Sequence, residues 1–185
     1  VQCAAGHHRG IASGGITPVM TCCALDGKGI KEFLDTLIKF VSDAKDHAEY
    51  TGLDAKDNEI SRKCDPAAPV SAFVFKTIAD PFVGKISLMK VISGKLNSGT
   101  ELYNSRAEKP EKIGNLFFLR GKTQAEADTV MAGDIVAAAK LQVTQTGDTL
   151  CEKANFIKYP PVSFPEPSLY MAVEPKAKGD DEKIS

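Results

Sequence analysis

Tryptophan is absent from this chain, and so is every cysteine and histidine arrangement that would hold a metal. The five cysteines (Cys3, Cys22, Cys23, Cys64 and Cys151) are odd in number, and no C-x-x-C pair occurs. That pattern excludes a zinc site and argues against a disulfide framework. It reads as reduced thiols in a cytoplasm. No apolar run reaches membrane-spanning length, and no basic-then-apolar leader is visible, so no membrane partner is expected. A phosphate-binding loop needs G-x-x-x-x-G-K-[ST], so that backbone N–H groups wrap the phosphates. Gly27-Lys28-Gly29 and Ser93-Gly94-Lys95 lack that spacing, and the guanine-reading N-K-x-D is missing too. No Ser/His/Asp set, paired carboxylates in apolar context or thiolate–His pair can be assembled from spacing, so no catalytic or metal-binding residue is assigned.

The composition is that of an ordinary folded domain, 43% hydrophobic and 25% charged. Net charge is −1, but unevenly spread. Residues 68–163 carry twelve Lys or Arg against nine Asp or Glu, and both flanks are acidic. A weakly basic centre suits RNA contact without establishing it.

Periodicity changes along the chain. Ile16 to Cys22 reads as a short buried strand, and Asp26-Gly27-Lys28-Gly29 as a turn. Ile30, Phe33, Leu34, Leu37, Ile38 and Val41 then fall on one helical stripe. Strand, turn and helix look like the end of an α/β domain. By this reading Cys22 and Cys23 are buried, packed near Phe33 and Leu37. Residues 1–15 show no periodicity, and 51–69 read as a polar, Pro-closed linker or surface excursion.

Beyond Pro69 the period becomes two. Val70–Ile78, Lys85–Ile92, Glu101–Asn104, Lys112–Leu119, Asp128–Met131, Ile135–Lys140 and Thr149–Glu152 read as strands separated by Gly and Asp turns. Many short strands with such turns predict a mainly β fold, an antiparallel β-barrel preceded by a strand-helix α/β remnant. Ser168–Glu174 reads as one more strand after the boundary at Phe164-Pro165-Glu166-Pro167.

Several motifs together resemble one family. They are Asp80-Pro81-Phe82-Val83-Gly84-Lys85-Ile86-Ser87-Leu88, Ser93-Gly94-Lys95-Leu96, Tyr103-Asn104 and Lys112-Ile113-Gly114-Asn115-Leu116. Ala132-Gly133-Asp134-Ile135, Thr146-Gly147-Asp148-Thr149-Leu150, Glu166-Pro167 and Val173-Glu174-Pro175-Lys176 continue the series. In order and spacing they resemble elongation factor G, a translational GTPase, from about residue 10 to residue 185. The resemblance implies a piece of a larger protein: residues 1–66 as the end of the GTPase domain with a linker, 67–163 as the domain II barrel, and 164–185 as the first strand of domain III.

The resemblance also implies function. The intact protein would bind GTP with Mg²⁺ and couple hydrolysis to tRNA–mRNA translocation in the cytoplasm, while this stretch holds no cofactor and is inactive alone. The barrel would contact the ribosome through small-subunit ribosomal RNA, and pack on its own GTPase domain and domain III; DNA is not an expected partner. Val19-Met20-Thr21-Cys22-Cys23-Ala24-Leu25-Asp26-Gly27-Lys28-Gly29-Ile30 resembles the family segment whose Ser-Ala pair touches guanine, which places Cys23 and Ala24 at the nucleotide. Cys23 departs from the family's Ser. Arg106, Lys109, Lys112, Arg120 and Lys122 are the candidate RNA-facing residues, as cations on or beside loops, with Glu108 and Glu111 partly neutralising them. Alternatives are a ribosome-protection protein acting in tetracycline resistance, a recycling paralogue, or a non-ribosomal β-barrel binding module.

The missing phosphate loop makes a direct prediction. Calorimetry of this chain with GTP or GDP should show no micromolar binding, since that affinity needs about −8 kcal/mol from contacts the chain lacks. Micromolar affinity would show a nucleotide pocket of another kind.

Overall fold

The computed structural model describes residues 2–44, 46, 49–80, 84–121, 123–172 and 174. Its centre is an antiparallel sheet of eight strands, curled around one apolar core. In chain order the elements are α1 (Gln2–Ala12), α2 (Ile30–Phe40), β1 (Tyr50–Leu53), β2 (Glu59–Arg62), β3 (Ser71–Asp80) and β4 (Gly84–Ser93). They continue with β5 (Lys95–Asn97), β6 (Glu101–Asn104), β7 (Lys109–Lys112), β8 (Leu116–Arg120), β9 (Thr123–Ala127), β10 (Thr129–Met131), β11 (Ile135–Ala139) and β12 (Thr149–Cys151). The large sheet runs β7-β6-β12-β3-β4-β11-β8-β9, and β5 pairs with β10 across one end. The mainly β antiparallel class expected from the period-two segments is the class observed.

Alternation builds the core. On β4, Met89 and Val91 are fully buried and point inward, with Ala72 and Val74 from β3, Val136 and Ala138 from β11, and Leu150 from β12. Leu96 of β5 lies opposite Val130 of β10, and both are buried in the same core. The opposite face of β4 contributes Ile86 to a second cluster with Phe117 and Ala137. Side chains on both faces therefore hold this part of the sheet, at about 25 cal/mol for each Å² of apolar surface removed from water.

The structure corrects several expectations. The stretch expected to be a linker or a surface excursion contains the β1–β2 hairpin, paired Tyr50↔Arg62 through Leu53↔Glu59. Its sequence signal is weak because the strands are short and polar, and only Gly52 is fully buried. Leu53 exchanges two 2.8 Å backbone hydrogen bonds with Lys158, which clips the hairpin to the chain leaving the barrel. Gly52 permits the crossing: a Cβ there would stand 2.7 Å from the Lys158 carbonyl oxygen. The same exit segment is fixed by Tyr159, whose hydroxyl lies 2.8 Å from Ser71 Oγ. Burial pushes its phenol up to about 12, more than the Ser71 hydrogen bond lowers it.

Helix α2 matches its stripe, and α1 is an addition, since its Ala, Gly and His composition carries no apolar face to recognise. The His7 ring meets the Phe40 ring edge-on at 6.0 Å. Residues 16–22 form no strand, and Cys22 and Cys23 are exposed free thiols, not buried ones. Among the described residues no strand pairs beside that segment, so its backbone gains no ladder and its side chains stay exposed. Phe33, Leu34, Leu37 and Ile38 of the α2 stripe remain exposed for the same reason. Residues 168–172 likewise carry no strand; Val173 and 175–185 lie outside the described residues.

Gly94 is the tightest backbone approach in the barrel. It has φ 77°, and a Cβ would meet Val70 Cα at 2.6 Å and the Ala68 carbonyl oxygen at 2.7 Å. Gly94→Ala should therefore cost about 2 kcal/mol or more in urea unfolding, from left-handed strain plus backbone collision. A loss below about 0.5 kcal/mol, the range of neutral surface changes, would contradict this packing.

Candidate nucleic-acid interface

The two edge strands of the large sheet, β7 and β9, share no ladder among the described residues, so the sheet does not close there by backbone pairing. The carboxylate of Glu111, on edge strand β7, bridges from it to the loop after β11. Glu111 is buried, and its Oε1 accepts the Gln142 N–H at 2.8 Å. Its Oε2 accepts the N–H groups of Val143 and Thr144 at 2.9 and 3.0 Å and the Thr144 hydroxyl at 2.9 Å. A charged acceptor surrounded by donors is the arrangement that makes burial of a carboxylate tolerable. The expectation that Glu111 neutralises surface cations is thereby corrected, because this side chain faces inward.

Asp148 does the same for the next part of the loop. Its Oδ2 accepts the Gln145 N–H at 2.8 Å, the Asn104 amide at 2.8 Å and Arg106 Nη2 at 3.0 Å, and its Oδ1 accepts Arg106 Nε. Burial pushes the Asp148 carboxyl up, but hydrogen bonds from Arg106, Asn104 and Gln145 outweigh it and hold the group below the ordinary range. Asn104 Oδ1 accepts the N–H groups of Arg106 and Ala107, at 3.0 and 2.9 Å. The turn between β6 and β7 is thus tied to the 142–148 loop, through Asn104 and Arg106.

The RNA candidates now separate. Arg106, Lys109 and Lys112 lie on the β6–β7 hairpin, while Arg120 ends β8 on the neighbouring hairpin. Arg106 spends its guanidinium on Asp148 and, at 3.0 Å, on the Val143 carbonyl. Its role is to position the turn. Lys109, Lys112 and Arg120 are exposed. Lys122 lies outside the described residues. A cleft of about 820 Å³ opens where the ladder is missing, with Lys112, Lys140, Asn115, Gln124 and Gln142 among its walls and Phe117 at its base. Lys140 was not singled out in the sequence; its positive φ of 61° gives no sequence signal in a lysine.

Cys23 and Ala24 are not in this region. Cys23 exchanges a backbone bridge with Lys28, its N–H donating to the Lys28 carbonyl at 2.9 Å, and Ala24 is exposed in the intervening turn. No G-x-x-x-x-G-K-[ST] sequence accompanies them in this chain. Among the described residues no His, Cys, Asp or Glu group converges to hold a metal, and no helix is long and apolar enough to cross a membrane.

Two comparisons with known proteins bear on the fold. The family model described as elongation factor G domain 2 matches residues 69–153. A crystal structure of a protein from Thermus thermophilus superposes with a TM-score of 0.69 over 98% of this chain, at 19% identity. At that identity the likeness concerns the fold. The chain spans about a quarter of that protein's length, 25%.

The depressed Asp148 carboxyl sets a pH dependence. Stability from this group is fully present above the unfolded-state value, near pH 4, and is lost as pH falls through the lower folded-state value. Asp148→Asn should unfold at lower urea concentration at pH 7, by about 2–3 kcal/mol, and lose less than the wild type between pH 5 and acid. Equal acid sensitivity of both proteins would mean that Asp148 is not held in its charged form.

Proposed function

Residues 69–153 are a second domain of the elongation factor G kind, and from that premise we propose that this chain is the ribosome-docking part of a translational GTPase. The family match to the barrel carries the reading. In it, residues 67–163 form domain II, 1–66 carry the end of the GTPase domain with the β1–β2 hairpin, and 164–185 begin domain III. The intact protein hydrolyses GTP with Mg²⁺ in the cytoplasm and couples it to movement of tRNA and mRNA. Cys23 and Ala24 supply part of its guanine contact, and the rest of the pocket comes from outside this chain.

The barrel's task in this reading is contact with small-subunit ribosomal RNA. Lys109, Lys112, Arg120 and Lys122 provide the cations, and Arg106 fixes the hairpin that carries two of them. Phosphate contacts of flexible lysines bind by releasing counterions, without reading sequence. Such a surface needs a rigid frame, because ordering a loop at the moment of binding would cost affinity. The Glu111 and Asp148 hydrogen bonds supply that frame. The exposed stripe of α2 is the face that meets the remainder of the GTPase domain.

Lys109→Glu and Lys112→Glu together, in the intact factor, should weaken binding to the small subunit at about 50 mM salt and much less at about 200 mM. The slope of log affinity against log salt should fall by roughly one for each phosphate that is no longer neutralised. GTP affinity should not change. Unaltered subunit binding at both salt concentrations would place the RNA face elsewhere on the barrel.

A further inference from the structure

The β6–β7 hairpin carries an aromatic feature besides its lysines. Tyr103, on β6, is half-buried and points away from the barrel core. Its ring meets Phe156 edge-on, with centroids 6.3 Å apart and planes at 63°. The Lys153 ammonium lies over the face of the ring, 5.5 Å from its centroid, on an exposed side chain. A hollow of about 210 Å³ opens beside the ring, lined by Glu101, Leu102, Tyr103, Pro110 and Lys153. Glu101 and Pro110 also line the large cleft, so the two depressions adjoin across the hairpin. Lys109 and Lys112 flank Pro110 and Glu111 on β7, opposite Asn104 and Glu101.

We propose that Tyr103 is a stacking platform for one unpaired RNA nucleotide, seated in the hollow between Pro110 and Lys153. This rests on the RNA-docking reading above and adds a base contact to its phosphate contacts. An incoming base displaces the exposed Lys153 ammonium from over the ring and takes the π-face itself, and Lys153 then meets the adjoining phosphate. Recognition of RNA through splayed, unpaired bases has this form. Phe156 and the β6 ladder hold Tyr103 in place, so little side-chain freedom is lost on binding. Lys153, Lys109 and Lys112 form no ion pair among the described residues. Glu101 repels a phosphate in the hollow but accepts a hydrogen bond from a base amino group, as carboxylates do from cytosine N4. The bound base is therefore an amino-bearing one, and cytosine is favoured over uracil.

Fluorescence anisotropy of labelled single-stranded RNA decamers, all cytidine or all uridine, with the 185-residue chain at low salt tests this. The cytidine decamer should bind more tightly than the uridine decamer. Tyr103→Ala should weaken the cytidine complex about tenfold, and Tyr103→Phe should leave it unchanged. Lys153→Glu, on an exposed side chain outside the β6 ladder, should weaken both decamers without altering the melting curve. Decamer binding indifferent to Tyr103→Ala and Lys153→Glu overturns the platform. If Lys109→Glu with Lys112→Glu still weakens small-subunit binding, the docking reading survives that result. Absence of decamer binding also overturns the platform, and a parallel small-subunit binding assay then decides the docking reading separately.

Discussion

Two carboxylates, Glu111 and Asp148, hold the part of this barrel that strand pairing leaves open. Between them they accept the backbone N–H groups of Gln142, Val143, Thr144 and Gln145, of which that of Thr144 is buried. An unpaired buried N–H group costs about 1–3 kcal/mol, a penalty that falls in full on Thr144 and only in part on its neighbours. Once the loop is fixed, its Val143 carbonyl and Asp148 carboxylate fix Arg106, and Arg106 with Asn104 fixes the β6–β7 turn. The exposed lysines of that hairpin inherit their position from this series of hydrogen bonds. Removing either carboxylate therefore disturbs both stability and presentation.

This dependence explains why the outside of the barrel can be polar and still ordered. Apolar burial defines the strands: Met89, Val91, Leu96 and Leu150 leave no alternative register for the sheet. It does not define loops, whose backbone needs hydrogen-bond partners more than it needs packing. The loop after β11 finds them in side chains from β7 and from its own end. Lys85 adds a further tie by donating to the Thr144 carbonyl.

The strands were legible because period two is written directly into segments such as Ile86-Ser87-Leu88-Met89-Lys90-Val91. The helical stripe from Ile30 to Val41 was equally plain. The β1–β2 hairpin was not, because its stability comes from Lys158 and from clearance at Gly52, both set by residues distant in sequence. The expected burial of Cys22 and Cys23 fails for a related reason: an apolar run shows what could be covered, not whether a neighbouring strand is there to cover it. For the candidate interface, the sequence singles out the hairpin lysines as cations in or beside loops, and the structure sets Lys109 and Lys112 at the two ends of β7. It could not separate Arg106 from them, since an arginine held by Asp148 and an arginine held by solvent are written alike. The inward course of Glu111 and the pairing of Tyr103 with Lys153 are tertiary facts of the same kind.

In the proposed function, the β6–β7 hairpin is the RNA-facing edge of a rigid docking barrel. Cryo-electron microscopy of the intact factor bound to the ribosome tests this most directly. Small-subunit RNA density is expected against Lys109 and Lys112, with the 142–148 loop and the Asp148–Arg106 pair arranged as they are here. Ribosomal RNA on another face of the barrel, with this hairpin open to solvent, would contradict it.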